Sequence, residues 1–270
     1  MLPELFHFGR FALPSYGVIA AIGLLAALYV VRRLAGQHDV DPDKAWSLGI
    51  IAMLSALLGA KIFYVINDWS RYSADPRQIF SLETLQAGGV FYGGLLGALA
   101  ACSAFLLYTR MPVLRTSDVF APGIALGHAF GRLGCFAAGC CYGRPTDLPW
   151  GVKFTNPLAA RFAGTPLDVH LHPTQIYEFG IELANFFLLL WLLRRKTFDG
   201  QVIGAYVFLY GFARYFIEFF RGDPGRATVL GGFMTATQLI SLLLVMAGGA
   251  LWIRRPPRSE KLRELAQAAP

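Results

Sequence analysis

The sequence is short of charge. Asp, Glu, Lys and Arg make up 15% of its 270 residues, where a soluble domain of this size carries roughly 25%. With 55% of residues hydrophobic and a mean hydropathy of +0.48, that deficit excludes an ordinary soluble protein. Acids are scarcer than bases, 17 against 24. The basic excess does not point to nucleic acid, because much of it falls at the ends of apolar stretches. Acids inside apolar stretches are few, chiefly Glu178, Glu182 and Glu218, which argues against a metal-dependent membrane phosphotransferase. No internal repeat and no paired broken helices are visible, which argues against a secondary transporter. No small-residue cleavage site follows a short apolar core near Glu4, so the first apolar segment is expected to stay as a helix. Cysteine is limited to Cys102, Cys135, Cys140 and Cys141. Cys102 reads as packing. The other three lack the paired spacings of a metal site and read as small apolar filler, so no metal is expected.

What is present is a series of long apolar runs, each near the ~20 residues that cross a bilayer as helix. Seven spans are predicted, at about 14–31, 45–66, 88–108, 119–138, 174–193, 201–220 and 232–253. The fold class is therefore all-α, a polytopic integral membrane protein with seven transmembrane helices. Basic clusters close to helix ends mark the cytoplasmic side. Arg32–Arg33 with Lys44, Arg110 with Arg115, Arg194–Arg195–Lys196 and the residues from Arg254 all fall on one side if every span is real. The N-terminus is then periplasmic and the C-terminus cytoplasmic. Residues 1–258 form one domain with outward-facing loops at 67–87 and 142–171, and 259–270 a short cytoplasmic tail.

Charge inside these spans is where chemistry is expected. The stretch from His128 to Arg144 places Arg132 inside an apolar run punctuated by Gly127, Gly131, Gly134, Gly139 and Gly143. A guanidinium at that depth needs a partner, and glycines let a backbone or ligand come close. Tyr210, Arg214, Glu218 and Arg221 are spaced four, four and three apart and share a helix face. They make either a self-neutralising Arg214–Glu218 pair or a site in which Glu218 orients an arginine that meets a ligand. The segment His172-Pro-Thr-Gln175-Ile-Tyr177-Glu178 opens the fifth span, either as a helix cap or as part of the site. Lys61 and Tyr64 lie near the outer end of the second span, where Lys61 either snorkels or joins the cations. Several cations near an outer-leaflet cavity suit a lipid phosphate, which arginine matches in a bidentate way. Gly88–Gly89 and Gly93-Gly94-Leu-Leu-Gly97 read as an opening for an acyl chain or as helix packing.

Taken together, these motifs resemble the prolipoprotein diacylglyceryl transferase family across nearly the whole chain. The resemblance is carried by Ser15-Tyr16-Gly17, Gly59-Ala-Lys61-Ile-Phe-Tyr64, Gly89 to Gly97, Arg115-Thr-Ser-Asp118, Gly131-Arg132-Leu-Gly134, Tyr142-Gly143-Arg144 through Gly151, His172 to Glu178, and Arg214 to Arg221. It implies a multi-pass enzyme of the bacterial inner membrane, with an active cavity facing the outer leaflet. Its substrates would be phosphatidylglycerol and a preprolipoprotein signal peptide bearing a lipobox cysteine, with no nucleic-acid partner. The diacylglyceryl group would pass to the cysteine thiol, forming a thioether and releasing sn-glycerol 1-phosphate, with no metal or organic cofactor. The catalytic set implied is Arg132, Arg214, Tyr92 and Glu218. The phospholipid-binding set is Tyr16, Lys61, Tyr64, Gly131, Arg132, Gly134, Gly143, Arg144, His172, Gln175, Tyr177, Glu178 and Arg221. The chain departs from the family pattern in four places. Tyr92 stands where a histidine is usual, Cys135 where asparagine is frequent, Cys140 near an acidic position, and Lys61 where arginine is expected. Tyrosine has a pKa near 10, which makes it a good hydrogen-bond donor and a poor base at neutral pH. A divergent paralogue with another lipid or acceptor, or a non-catalytic lipid-binding or transport protein, is the alternative.

Overall fold

The computed structural model describes residues 2–8, 11–81, 84 and 89–253. Gly88, Arg254–Arg255 and the 259–270 tail lie outside them. Chain order begins with a β1–β2 hairpin, Glu4–Phe8 with Phe11–Pro14, leading into helix α1, Ser15–Ala35. Then come α2 (Pro42–Asn67), the short α3 (Trp69–Ala74), α4 (Phe91–Thr109) and α5 (Val113–Ala138). A loop region follows with β3 (Val152–Lys153), α6 (Pro157–Ala163) and β4 (His170–Leu171). The chain continues through α7 (Thr174–Leu193), α8 (Gln201–Phe220), β5 (Thr228–Val229), β6 (Met234–Thr235) and α9 (Ala236–Trp252).

Six of these helices, α1, α2, α4, α5, α7 and α8, are long and apolar enough to cross a membrane. The protein is an all-α, polytopic membrane protein. The expected seventh span is α9, whose 17 residues fall short of the predicted 232–253. Its first residues are taken by the β5–β6 ladder and by a capping box, in which Thr235 Oγ1 accepts from Gln238 N at 3.2 Å and Gln238 Oε1 accepts from Thr235 N at 3.0 Å. By contrast α7 and α8 match the predicted spans residue for residue. Helix α5 starts at Val113, six residues before the predicted 119. Its first turns carry Arg115, Thr116, Ser117 and Asp118, which hydropathy counts as loop.

Contacts gather into two compact units, Met1–Val31 with Ser117–Pro270, and Arg32–Thr116. In the second unit, α2 packs on α4 through small residues. A Cβ added to Gly97 would stand 2.6 Å from the Ser55 carbonyl oxygen, and one on Gly94 3.0 Å from that of Ala56. The Gly93–Gly97 signal is therefore helix packing, in which glycine lets two backbones touch. Asp41 caps α2, accepting from Asp43 N at 2.9 Å and Lys44 N at 3.1 Å, which satisfies two of the helix's free N–H groups. Lys61 Nζ donates to the Thr84 carbonyl at 2.7 Å and lies 5.7 Å from the Tyr64 ring centroid. Tyr92, in the first turn of α4, is exposed and meets Phe91 edge-on.

In the first unit, glycine again sets the close contacts. A Cβ on Gly211 of α8 would lie 2.7 Å from the Ser241 carbonyl of α9. Asp118, fully buried in α5, ties α5 to the α7–α8 turn. Its carboxylate accepts from the backbone N–H of Gly200, Val202 and Ile203, each at 2.9 Å, and from Lys196 Nζ at 2.9 Å. This supplies the capping that α8 lacks from its own N-cap glycine and fixes the register of α8 against α5.

Candidate active site

The site grows from three helices of the first unit: the C-terminal half of α5, the N-terminal half of α7 and the C-terminal half of α8. Each contributes polar residues at helical spacing, so each presents one charged stripe inward. From α5 come His128, Arg132 and Cys135. From α7 come Glu178 and Glu182, and from α8 Tyr210, Arg214 and Glu218, followed by Arg221 just past the helix end.

These side chains form an alternating chain of charge. Arg132 Nη2 lies 2.7 Å from Glu178 Oε2, and Arg221 Nη1 lies 3.7 Å from Glu178 Oε1. Arg221 grips Asp223 in a bidentate pair at 2.7 and 2.9 Å. Arg226 Nη1 reaches Asp223 Oδ1 at 3.0 Å, and its Nε reaches Glu218 Oε1 at 2.7 Å. Arg214 Nη1 closes the series 3.0 Å from Glu218 Oε2. Four guanidiniums thus alternate with three carboxylates, and the two ends of the series are Arg132 and Arg214.

One end has a donor left over. Glu178 is within ion-pair distance of two arginines, yet among the described residues neither of its oxygens has an aligned hydrogen bond, and Arg214 Nη1, buried, has none either. Arg132 directs Nε to His128 Nε2 at 3.2 Å. The His128 ring is in turn 5.3 Å from that of Tyr210, and its Nδ1 lies 3.8 Å from Glu182 Oε2. Outside the spans, Asp223 sits below the usual carboxylate range: burial is the largest single influence and opposes ionisation, but the hydrogen bonds and charge of Arg221 together with the charge of Arg226 outweigh it.

A small charged pocket lined by Glu178, Glu182, Tyr210 and Arg214 shares Ile181, Ala213 and Ile217 with a larger apolar cavity. That cavity, of about 750 Å³, is walled by Phe212, Phe216 and Phe220 and rimmed by Trp150, His172 and Tyr177. Trp150 Nε1 donates to Tyr177 OH at 2.8 Å, and Tyr177 OH lies 3.1 Å from His172 Nδ1. The small pocket, of about 10 Å³, thus sets two carboxylates and one guanidinium behind the wall of the apolar cavity.

The loop Tyr142–Arg144 threads between the start of α7 and the end of α8. Gly143 N donates to His172 O at 3.0 Å, and Arg144 N to Phe220 O at 2.8 Å. A Cβ on Gly143 would stand 2.5 Å from the His172 carbonyl and 2.8 Å from that of Phe220, so this glycine is required by close approach. Arg144 Nε donates to the Arg221 carbonyl at 3.1 Å. Gly134 packs against Tyr16, whereas a Cβ on Gly131 would meet open space.

Several expectations change here. The capping role weighed for Thr174 and Glu178 is absent: Thr174 Oγ1 donates to Cys141 O at 2.9 Å, and Glu178 bridges arginines. The self-neutralising Arg214–Glu218 pair is incomplete as a description, because Glu218 also takes Arg226 and the Thr235 hydroxyl at 2.9 Å. Arg132, expected to have no acid on its own helix, finds one on α7. Gln175, buried, commits its amide nitrogen to Cys140 O at 2.6 Å. Lys61, Tyr64 and Tyr92 lie in the other unit. Arg226 and Asp223 were missed, although the run Arg221-Gly-Asp-Pro-Gly-Arg226 places an acid between two arginines in view. The sulfurs of Cys135, Cys140 and Cys141 lie within 4.8 Å of one another, a convergence their spacing did not show.

The family model described as prolipoprotein diacylglyceryl transferase matches residues 3–254. Among similar proteins is a phosphatidylglycerol–prolipoprotein diacylglyceryl transferase of Clostridium tetani (strain Massachusetts / E88), 36% identical over 248 residues, covering 92% of this chain and 95% of the relative. A second enzyme of that name from Clostridium perfringens (strain 13 / Type A) is 33% identical, over 88% of this chain and 89% of its own. One from Vibrio atlanticus (strain LGP32) is 30% identical, over 98% and 94%. With a family match running almost end to end over a charged pocket beside an apolar cavity, this chain belongs to the prolipoprotein diacylglyceryl transferase family.

Proposed function

We propose that the protein transfers the diacylglyceryl group from phosphatidylglycerol to the lipobox cysteine of a preprolipoprotein, and that Arg132 and Arg214 bind the lipid phosphate. The observation that carries this assignment is the charge series with an arginine at each end, one of them, Arg214, with a buried Nη1 that has no aligned partner among the described residues, beside an apolar cavity. The apolar cavity takes acyl chain. The guanidiniums take phosphate oxygens, for which their planar fork is suited.

In the reaction the thiolate formed from the acceptor S–H attacks the glyceryl carbon bonded to phosphate oxygen, and the thiol proton leaves in the overall balance with the phosphate monoester released. The C–S bond forms as the C–O bond breaks, and the electron pair leaves with sn-glycerol 1-phosphate. Negative charge builds on the leaving phosphate, so Arg132 and Arg214 bind it more strongly in the transition state than in the ground state. Glu178 and Glu218 hold the two guanidiniums in place, and His128 fixes the plane of Arg132. Arg221, Asp223 and Arg226 brace the series from the loop side. The proposal does not rest on Tyr92, Lys61 or Tyr64, which belong to the other unit.

In this reading residues 1–258 are one transferase domain of the bacterial inner membrane, with α9 as the seventh span, the N-terminus periplasmic and the C-terminus cytoplasmic. The one-sided placement of basic helix ends supports that orientation. Incubating the purified protein with phosphatidylglycerol labelled in the glycerol that carries its acyl chains, and with a lipobox peptide, tests the activity. Label should pass to the peptide in a bond stable to mild base. Lipid that binds without transfer would point to a non-catalytic relative.

A further inference from the structure

The transfer reaction derived above leaves three side chains without a role. Cys135 lies on the last turn of α5, and Cys140 and Cys141 follow in the loop. Adjacent residues in an extended chain send their side chains to opposite sides, so a Cys-Cys pair does not ordinarily aim both sulfurs at a third. Here the chain is bent to do so. Gly139 has φ 74° and Cys141 φ 61°, a left-handed conformation that is unfavourable for a non-glycine residue. The bend is pinned on three sides. Cys140 N donates to Cys135 O at 3.1 Å, Gln175 Nε2 to Cys140 O at 2.6 Å, and Thr174 Oγ1 to Cys141 O at 2.9 Å. All three carbonyls are thus engaged, and the three Sγ atoms are gathered within 4.8 Å of one another.

We propose that Cys135, Cys140 and Cys141 form a three-sulfur site for a thiophilic divalent cation of the zinc class. In a tetrahedral site with metal–sulfur bonds of about 2.3 Å, the sulfurs stand about 3.8 Å apart. The observed gathering exceeds that edge by about an ångström at most, which small χ1 rotations close. Among the described residues no other histidine, cysteine or carboxylate joins the group. The fourth position therefore falls to water or an exogenous ligand, as in open zinc sites. Three thiolates and a divalent cation carry one net negative charge, and the positive Arg132 stands three residues before Cys135 on the same helix. The site joins the end of α5 to the loop that threads past Arg221, so the cation holds the wall of the pocket together.

The test uses the full-length protein in detergent, reduced and free of oxygen, with C102S removing the remaining cysteine. Titration with cobalt(II) should saturate at one equivalent, with a near-ultraviolet sulfur-to-cobalt charge-transfer band of the intensity given by three thiolates. Zinc should abolish the band and raise the temperature of thermal unfolding. C135S/C141S in the same background should lose both the band and the shift. C140A serves if that double variant does not fold, and it should give a band of two-thirds the intensity or less. Failure of the reduced parent to take up cobalt would overturn the proposal. So would a band as strong in the variants as in the parent, or reduction-resistant pairing of two of the three thiols.

Discussion

Arg132 on α5 and Glu178 on α7 lie 2.7 Å apart at their charged atoms, yet the carboxylate accepts no aligned hydrogen bond. The charge of the arginine is balanced while its N–H groups keep room for another acceptor. A guanidinium buried with no counter-charge would oppose folding in a bilayer, and one fully hydrogen-bonded to its acid would have nothing to offer a ligand. The geometry between these limits suits a phosphate that arrives and leaves.

Glu178 stands between Arg132 and Arg221, so neutralising it leaves two cations facing each other. Removing one member of a buried pair costs about 3–5 kcal/mol. Glu178→Gln should lower the unfolding temperature in detergent and abolish transfer. A variant that melted like the parent would show that Glu178 does not hold the series together.

Asp118 predicts a loss of stability without direct contact to the pocket. Its buried carboxylate accepts three backbone N–H bonds and pairs with Lys196. Asp118→Asn keeps the shape but supplies N–H where acceptors are needed, and should cost about 3 kcal/mol. Limited proteolysis of detergent-solubilised protein should show earlier cleavage in the α7–α8 turn. Unchanged protection there would contradict the capping role.

Two glycines give a controlled comparison. A Cβ on Gly143 would press on two backbone carbonyls, whereas one on Gly180, inside α7, meets nothing within 4 Å. Gly143→Ala should yield poorly folded protein. Gly180→Ala should be neutral or stabilising by up to about 1 kcal/mol. Size-exclusion profiles and melting curves of the pair decide; equal behaviour would mean that the loop is not held as described.

Orientation can be read with single-cysteine probes in intact cells. An impermeant reagent should label a probe near Gly164 and miss one near Lys196. The reverse pattern would invert the proposed topology.

Much of this was legible along single helices. The bounds of α7 and α8 and the shared face of Tyr210, Arg214 and Glu218 follow from apolar length and from spacing of three and four, which depend only on local helix geometry. What was hidden depends on contacts between segments distant in the chain. The Arg132–Glu178 pair joins residues 46 apart, and Asp118 caps a helix more than 80 residues on. Arg226 sits in a loop, where no periodicity flags it. The start of α5 was misplaced because its polar first turns serve Asp118's capping rather than the bilayer. The cysteine cluster depends on two left-handed residues, which composition does not reveal.

The most direct measurement of the central claim is single-turnover transfer of labelled diacylglyceryl by Arg132→Lys and Arg132→Ala, alongside proof that each variant is folded and inserted. Lysine keeps the charge beside Glu178 but loses the planar fork. Losing a transition-state contact of about 3 kcal/mol slows the reaction on the order of a hundredfold. Both variants are predicted to fall by that factor, with lysine nearly as impaired as alanine. A folded Arg132→Ala protein that transferred at close to the parental rate would contradict the assignment of this arginine to the lipid phosphate.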